Sequence, residues 1–250
     1  MIPKIIHYCW FGRNPLPPLA IKCIESWKKL MPDYEIKEWN EDNFDINMIP
    51  YTKEAYQSKK YAFVSDYARF WILYHYGGIY FDTDVELIKP IYDIVDKGPF
   101  WGGEGSSHKK GKIAIAPGLG IGCIAHHPIY EELLNYYSTL HFINSDNSIN
   151  YTTIVQYTTD IMKRHGWEQE NKVQQVDDMF VYSIDYFSPI DIITKKIEKT
   201  SNTRSIHWYT ASWKKTSKIK KIKNLIKKNI PTTLQLFYNK YISSYYETKY

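Results

Sequence analysis

Residues Tyr61–Pro90 read YAFVSDYARFWILYHYGGIYFDTDVELIKP, and this stretch decides the fold. Its first half, Ala62–Tyr76, is a strongly apolar run with helical spacing that carries Ser65, Asp66 and Arg69. Gly77-Gly78 stops that helix. Ile79–Phe81 follows as a short strand, delivers Asp82-Thr83-Asp84, and the chain resumes as a second short strand, Val85–Ile88. Alternation along a strand predicts that Asp82 and Asp84 leave the same face. Mg²⁺ and Mn²⁺ take hard oxygen ligands, often one or two carboxylates plus substrate phosphates. A bare Asp-x-Asp also occurs as a solvated acidic turn. The apolar helix, glycine turn and strand that precede this one favour the metal.

Asp66 and Arg69 are three residues apart, on one helix face. On a solvated helix such a pair contributes a few tenths of a kcal/mol. Here Val64, Ala68, Phe70 and Trp71 embed the helix, and a charged pair in that setting must face a cleft or cost stability. Asp66 can accept from a hydroxyl of a sugar or ribose, and Arg69 can donate to a hydroxyl or a phosphate oxygen.

Outward from this segment, helices and strands alternate. Lys4–Phe11 reads as a buried strand, Gly12–Pro18 as a loop, Leu19–Leu30 as a helix and Tyr34–Trp39 as a strand. Thr52–Lys60 is helical. The alternation predicts an α/β fold with a mainly parallel sheet, whose active site lies at the carboxyl ends of the strands. Phe11-Gly12 and Asp82 both fall at such ends and can share a site. Trp10 is core or a platform for a nucleobase. Further on, Phe100–Lys112 (FWGGEGSSHKKGK) reads as a mobile loop, Ile113–His127 as strand-like, and Pro128–Leu140 and Ile154–Gly166 as helices. Thr203–Lys214 holds His207, Trp208, Ser212 and Trp213 in one compact cluster, and His207 can complete a metal site with Asp84.

The chain has 250 residues, 44% hydrophobic and 24% charged, the balance of a globular enzyme with one large core. Aromatic residues reach 16%, which suits either stacking on sugars and bases or filling a β-rich core. Cys9, Cys23 and Cys123 are scattered and lack both metal-ligand spacing and a disulfide framework, which points to a reducing compartment. The opening MIPKIIHYCWFG reads as a strand rather than a signal peptide, and no segment has the apolar length of a membrane span.

The net charge of +5 is local in origin. Lys214–Lys228 holds eight lysines and no acid, which leaves the preceding body mildly acidic. Ile219, Ile222, Leu225 and Ile226 interleave those lysines near helical spacing, and an aromatic tail follows (Phe237, Tyr238, Tyr241, Tyr245, Tyr246). Such a run can be a solvated basic helix that closes the domain or a nucleic-acid patch, but a basic amphipathic helix with an aromatic tail fits an anionic membrane surface better, the basic run being confined to one short segment. We therefore expect two regions, residues 1–213 as the enzyme domain and 214–250 as an extension on the inner face of the cell membrane.

At these residues the chain resembles the bacterial and fungal sugar transferases that carry an Asp-x-Asp signature, among them α-mannosyltransferases, α-galactosyltransferases and capsule enzymes. It is distantly similar to the glucosylating domain of large clostridial toxins. The matching stretches are IPKIIHYCWFG, the Tyr61–Pro90 segment, the weaker GLGIGCIAHHP and SIHWYTASW. The resemblance implies a GT-A fold, a nucleotide-sugar donor (a UDP-sugar first), Mn²⁺ or Mg²⁺, and transfer with retention of configuration. It implies a hexose or N-acetylhexosamine as the sugar, and a glycan or lipid-linked oligosaccharide as acceptor in surface polysaccharide synthesis. By position, Trp10 is the expected uracil-stacking residue, Asp66 and Arg69 the contacts to the donor sugar, and Tyr80 a neighbour of ribose or base. Asp82 is expected to serve ribose, sugar and metal, Asp84 to bind the metal directly, His207 to be the late metal ligand, and Ser212 and Trp213 to lie near the diphosphate. Many relatives carry Gly-Pro on the acceptor side, where this chain has Asn150-Tyr151-Thr152-Thr153, so the acceptor does not follow by analogy.

Two other readings compete. A nucleotidyltransferase also uses carboxylate-bound metal on an α/β sheet. It usually has a glycine- and lysine-rich phosphate loop after the first strand, and GRNPLPPLA is not one. A non-catalytic binder of nucleotide-sugars would not need the complete set of acids with Arg69.

Overall fold

The computed structural model describes residues 1–105, 112–191 and 196–210. Its elements, in chain order, are β1 (Ile5–Cys9), α1 (Pro18–Leu30), β2 (Glu35–Trp39), α2 (Pro50–Gln57), α3 (Tyr61–Tyr76), β3 (Gly78–Tyr80), β4 (Val85–Leu87) and α4 (Tyr92–Val95). Then come β5 (Phe100–Gly105), β6 (Ile113–Ile115), β7 (Ile121–Cys123), α5 (Pro128–Ser138), α6 (Ile154–Arg164), β8 (Gln174–Val176), β9 (Met179–Tyr182), α7 (Ile184–Phe187) and β10 (Ser205–His207). Met1–Thr210 forms one compact unit. Ser212, Trp213 and the basic stretch Lys214–Lys228 lie outside the described residues.

The central sheet has eight strands in the order β2-β1-β3-β7-β5-β9-β8, with β6 also paired to β5. β2, β1 and β3 are mutually parallel, β7 is antiparallel to both β3 and β5, and β5 and β9 are parallel. β8 and β6 are antiparallel to their partners. Five strands therefore share one direction and three oppose it, the mixed but mainly parallel sheet expected. Helices cover both faces. One face packs against α2, α3, α5 and α6 through Tyr51, Phe63, Phe70, Tyr130 and Tyr157. The other packs against α1 through Cys23, Ile24 and Trp27. All three cysteines are free and buried, as small apolar residues.

Local sequence explains the elements around the site. Pro18 opens α1, whose buried stripe is Ala20, Cys23, Ile24 and Trp27. α3 buries nine of its sixteen residues, Asp66 and Arg69 among them. Its C-cap Gly77 has φ 65°, and a Cβ on Gly78 would lie 2.7 Å from the Ile5 carbonyl oxygen, so both glycines are needed to fold the helix back onto β1. His7 fixes that junction. Its Nδ1 accepts from the Trp39 indole at 3.1 Å and its Nε2 donates to the Gly77 carbonyl at 3.0 Å. Burial lowers its pKa to about 4, so the ring is a neutral strut.

Two local expectations are corrected. Phe100–Gly105 is not a loop but the central strand β5. Its glycines conceal the alternation of a strand because they admit neighbouring backbone: a Cβ on Gly103 would lie 2.8 Å from the Tyr182 carbonyl oxygen. Asp82–Asp84 is likewise not on a strand. It forms the turn between β3 and β4, closed by the Val85 amide donating to the Asp82 carbonyl at 3.0 Å. No helix among the described residues is long and apolar enough to cross a membrane.

Candidate functional site

The site grows out of the β3–β4 turn. β1 and β3 are adjacent and parallel, so the residues that follow them, Trp10–Gly12 and Asp82–Asp84, emerge on one edge of the sheet. β10 pairs antiparallel with β4, with His207 opposite Val85. That pairing brings His207 beside Asp84: its Nε2 lies 3.0 Å from Asp84 Oδ1. Ligand atoms of Asp82, Asp84 and His207 all lie within 4.8 Å of one another. Two carboxylates and an imidazole suit a hard divalent cation. His207 Nδ1 is buried without a hydrogen-bond partner among the described residues, an orphan that a polar or ionic ligand would satisfy.

Asp84 is held from two sides. The Thr210 backbone amide and hydroxyl both donate to its Oδ2, at 2.9 and 2.8 Å. Burial pushes the Asp84 carboxyl up, but the hydrogen bond and charge of His207, together with Thr210, overcome this and hold it down at about 2. Burial would lower the His207 pKa, yet Asp84 raises it above its ordinary value.

Asp82 faces α3. Its Oδ1 accepts from the Tyr80 hydroxyl at 3.1 Å and lies 3.3 Å from Arg69 Nη2. The same Nη2 donates to Asp66 Oδ1 at 2.9 Å. Arg69 Cζ sits 4.8 Å from the centre of the Tyr80 ring, and its Nε donates to the Ser65 carbonyl. The Arg69 side chain is only 4% exposed, so this is a buried charge serving two carboxylates, not a surface pair. Burial raises the Asp66 carboxyl to about 7; Arg69 opposes the rise and the Asp82 charge adds to it.

Gly118 closes the floor. The Asp82 amide donates to its carbonyl at 3.0 Å, and a Cβ there would fall 2.0 Å from Asp82 Oδ2 and 3.2 Å from Arg69 Nη1. Trp10 stands half-exposed at the end of β1, its indole donating to the Asn14 carbonyl at 2.6 Å. Asn14 returns a bond to the Gly12 carbonyl, and the Gly12 amide donates to Glu41, so the platform loop is tied at both ends.

Of the residues singled out from sequence, Asp66, Arg69, Tyr80, Asp82, Asp84 and His207 converge, and Trp10 stands on the same edge of the sheet. Ser212 and Trp213 lie outside the described residues. Sequence reasoning missed Gly118, which opens the stretch GLGIGCIAHHP, and Thr210. It also missed Glu104 and Tyr209, whose hydroxyl lies 3.2 Å from Glu104 Oε2 and whose ring sits 4.1 Å from that of His207. Thr210 and Tyr209 were findable as neighbours of His207; a Glu inside a glycine-rich strand carries no such signal.

Residues 17–101 match the family model described as the glycosyltransferase sugar-binding region containing DXD motif. The inositol phosphoceramide mannosyltransferase 3 of Schizosaccharomyces pombe is 39% identical over 88 residues, which cover 34% of this chain and 24% of that protein. An uncharacterized glycosyltransferase of Acanthamoeba polyphaga mimivirus is 27% identical over 203 residues, 78% of this chain and 76% of the relative. Among solved structures, the PaToxG glycosyltransferase superposes with a TM-score of 0.46 at 20% identity, covering 65% of this chain and 68% of that one. The match spans about a quarter to a third of the length of the first fungal relatives. The Asp82-Thr83-Asp84 turn lies inside the matched region, so residues 17–101 carry a stretch similar to the DXD sugar-binding region of glycosyltransferases.

Proposed function

We propose that the protein transfers a hexosyl group from a nucleoside-diphosphate sugar to a hydroxyl of a glycan or lipid-linked acceptor, with Mn²⁺ or Mg²⁺. The observation that carries this is the convergence of Asp82, Asp84 and His207 beside the buried Arg69–Asp66 pair. Asp82, Asp84 and His207 would hold the metal, which supplies positive charge to the departing diphosphate. Arg69 is fixed by two carboxylates and a backbone carbonyl, so its charge is preorganised beside Asp82 to stabilise a sugar hydroxyl or phosphate oxygen there. Asp66 accepts from a donor-sugar hydroxyl. Trp10 offers a face to the base.

In the reaction the bond from the anomeric carbon to the diphosphate oxygen breaks and the nucleoside diphosphate leaves with the electron pair. The acceptor oxygen bonds to the anomeric carbon, and its proton passes to the leaving phosphate. The fungal relatives are named as mannosyltransferases of inositol phosphoceramide, which supports a hexosyl donor and a lipid-linked acceptor. The basic stretch Lys214–Lys228 supports work at an anionic membrane surface, each engaged lysine contributing about 1 kcal/mol.

The test is a donor screen with the full-length chain: UDP-glucose, UDP-galactose, UDP-N-acetylglucosamine and GDP-mannose with Mn²⁺, read by nucleoside diphosphate release. One donor should turn over, chelator should stop it, and Asp84→Ala should abolish it with the fold intact. Release from none of these donors, or release that chelator leaves untouched, overturns the proposal.

A further inference from the structure

Tyr151 is 55% exposed, yet it is not on a loose loop. The Asn150 amide donates to the Phe142 carbonyl at 2.9 Å, and its side chain donates to the Tyr157 hydroxyl at 3.0 Å and accepts from the Thr152 amide at 3.0 Å. Thr153 then caps α6. The Tyr151 ring therefore stands on a clamped segment with a wide face open to solvent. Lys60 Nζ lies 5.3 Å from its centroid, and the Phe63 ring 6.3 Å away. Lys60 makes no ion pair with a described carboxylate. A single exposed ring needs no explanation by itself; what sets this one apart is the ammonium beside it and the clamped segment that carries it.

Its position gives it a use. Phe63 precedes Asp66 on α3 by three residues, about 4.5 Å of helix rise. Ala62 and Ser65, on the side of α3 that carries Asp66 and Arg69, are half-exposed. Tyr157, to which Asn150 is bonded, packs on Tyr137 in the aromatic nest beside Asp66. α3 runs into β3 through Gly77, so its N-terminal end, where the Tyr61 ring lies against Gly12, stands on the same edge of the sheet as Trp10–Gly12 and Asp82–Asp84, and the platform stands at that end. A pyranose presents a C–H face to an aromatic ring and hydroxyls at its rim, and an unpaired ammonium beside that ring favours an anionic substituent.

We propose that Tyr151 and Lys60 form an acceptor subsite in which a pyranose ring bearing a carboxylate or phosphate stacks on Tyr151 with its charge toward Lys60. This rests on the sugar-transfer reading, and its test is separable from it. Saturation-transfer NMR on the full-length protein would use methyl α-glucopyranoside, its 6-phosphate and the corresponding uronate as probes. Ring protons of the charged probes should be saturated by the wild type, with weaker transfer to the neutral glycoside; which charged probe responds more strongly distinguishes phosphate from carboxylate. Tyr151→Ala should weaken binding about tenfold while Tyr151→Phe retains it, and Lys60→Gln should erase the preference for charge. Equal transfer in wild type and Tyr151→Ala, or none from any probe in wild type, overturns the subsite. A protein that binds the probes through Tyr151 but releases no nucleoside diphosphate keeps the subsite and sinks the transfer reading; the reverse pattern does the opposite.

Discussion

Gly118→Ala separates the site from the fold. The added Cβ would lie 2.0 Å from Asp82 Oδ2 and 2.8 Å from its Cγ. The backbone cannot retreat cheaply, because the Gly118 carbonyl accepts from the Asp82 amide at 3.0 Å. The carboxylate must therefore rotate away, losing the Tyr80 hydroxyl at 3.1 Å and the Arg69 guanidinium at 3.3 Å. Asp66 keeps Arg69 paired, so no buried charge is stranded and the loss of stability should stay near about 1 kcal/mol. What is lost is the placement of one ligand. A charge-assisted hydrogen bond is worth about 1.5–3 kcal/mol, so metal-dependent donor binding should weaken by roughly 10- to 150-fold. Isothermal calorimetry with Mn²⁺ and the nucleoside diphosphate of the donor found in the screen, beside a thermal melt, reads both quantities. Undiminished donor binding with the fold retained would refute the view that Gly118 is there to seat Asp82.

Two further outcomes follow from the same geometry. Trp10→Ala should weaken nucleoside diphosphate binding by about 1–3 kcal/mol, the range for stacking on a base; unchanged affinity in calorimetry would assign Trp10 to packing alone. Burial raises Asp66 from 3.8 to about 7, so this group favours the folded state below pH 3.8 and that contribution is lost as pH rises through about 7. Asp66→Asn should therefore lose less melting temperature than wild type between pH 4.5 and 7.5, while losing activity; parallel pH profiles for the two proteins would count against it.

The sequence alone was enough for much of the site, because its central part is local. An apolar helix, two glycines, a strand and two acids within Tyr61–Pro90 place Asp66, Arg69, Asp82 and Asp84 by backbone geometry alone. Side-chain periodicity reports on neighbours a few residues away, and here those neighbours are the site. The strand before Trp10 and the helix from Pro18 were legible for the same reason. Tertiary structure decided the rest. β10 reaches Asp84 only through its pairing with β4, a long-range choice that leaves no periodic trace in Ser205–His207. β5 hid among glycines because its neighbours demand close backbone approach rather than alternating side chains. The two acids converge through a turn, not along a strand, since the Asp82 carbonyl is taken by Val85 and its amide by Gly118. Sequence fixes what each segment prefers to be; which distant segments share an edge of the sheet is set by packing both faces at once, and that is where His207, Gly118 and Thr210 joined the acids.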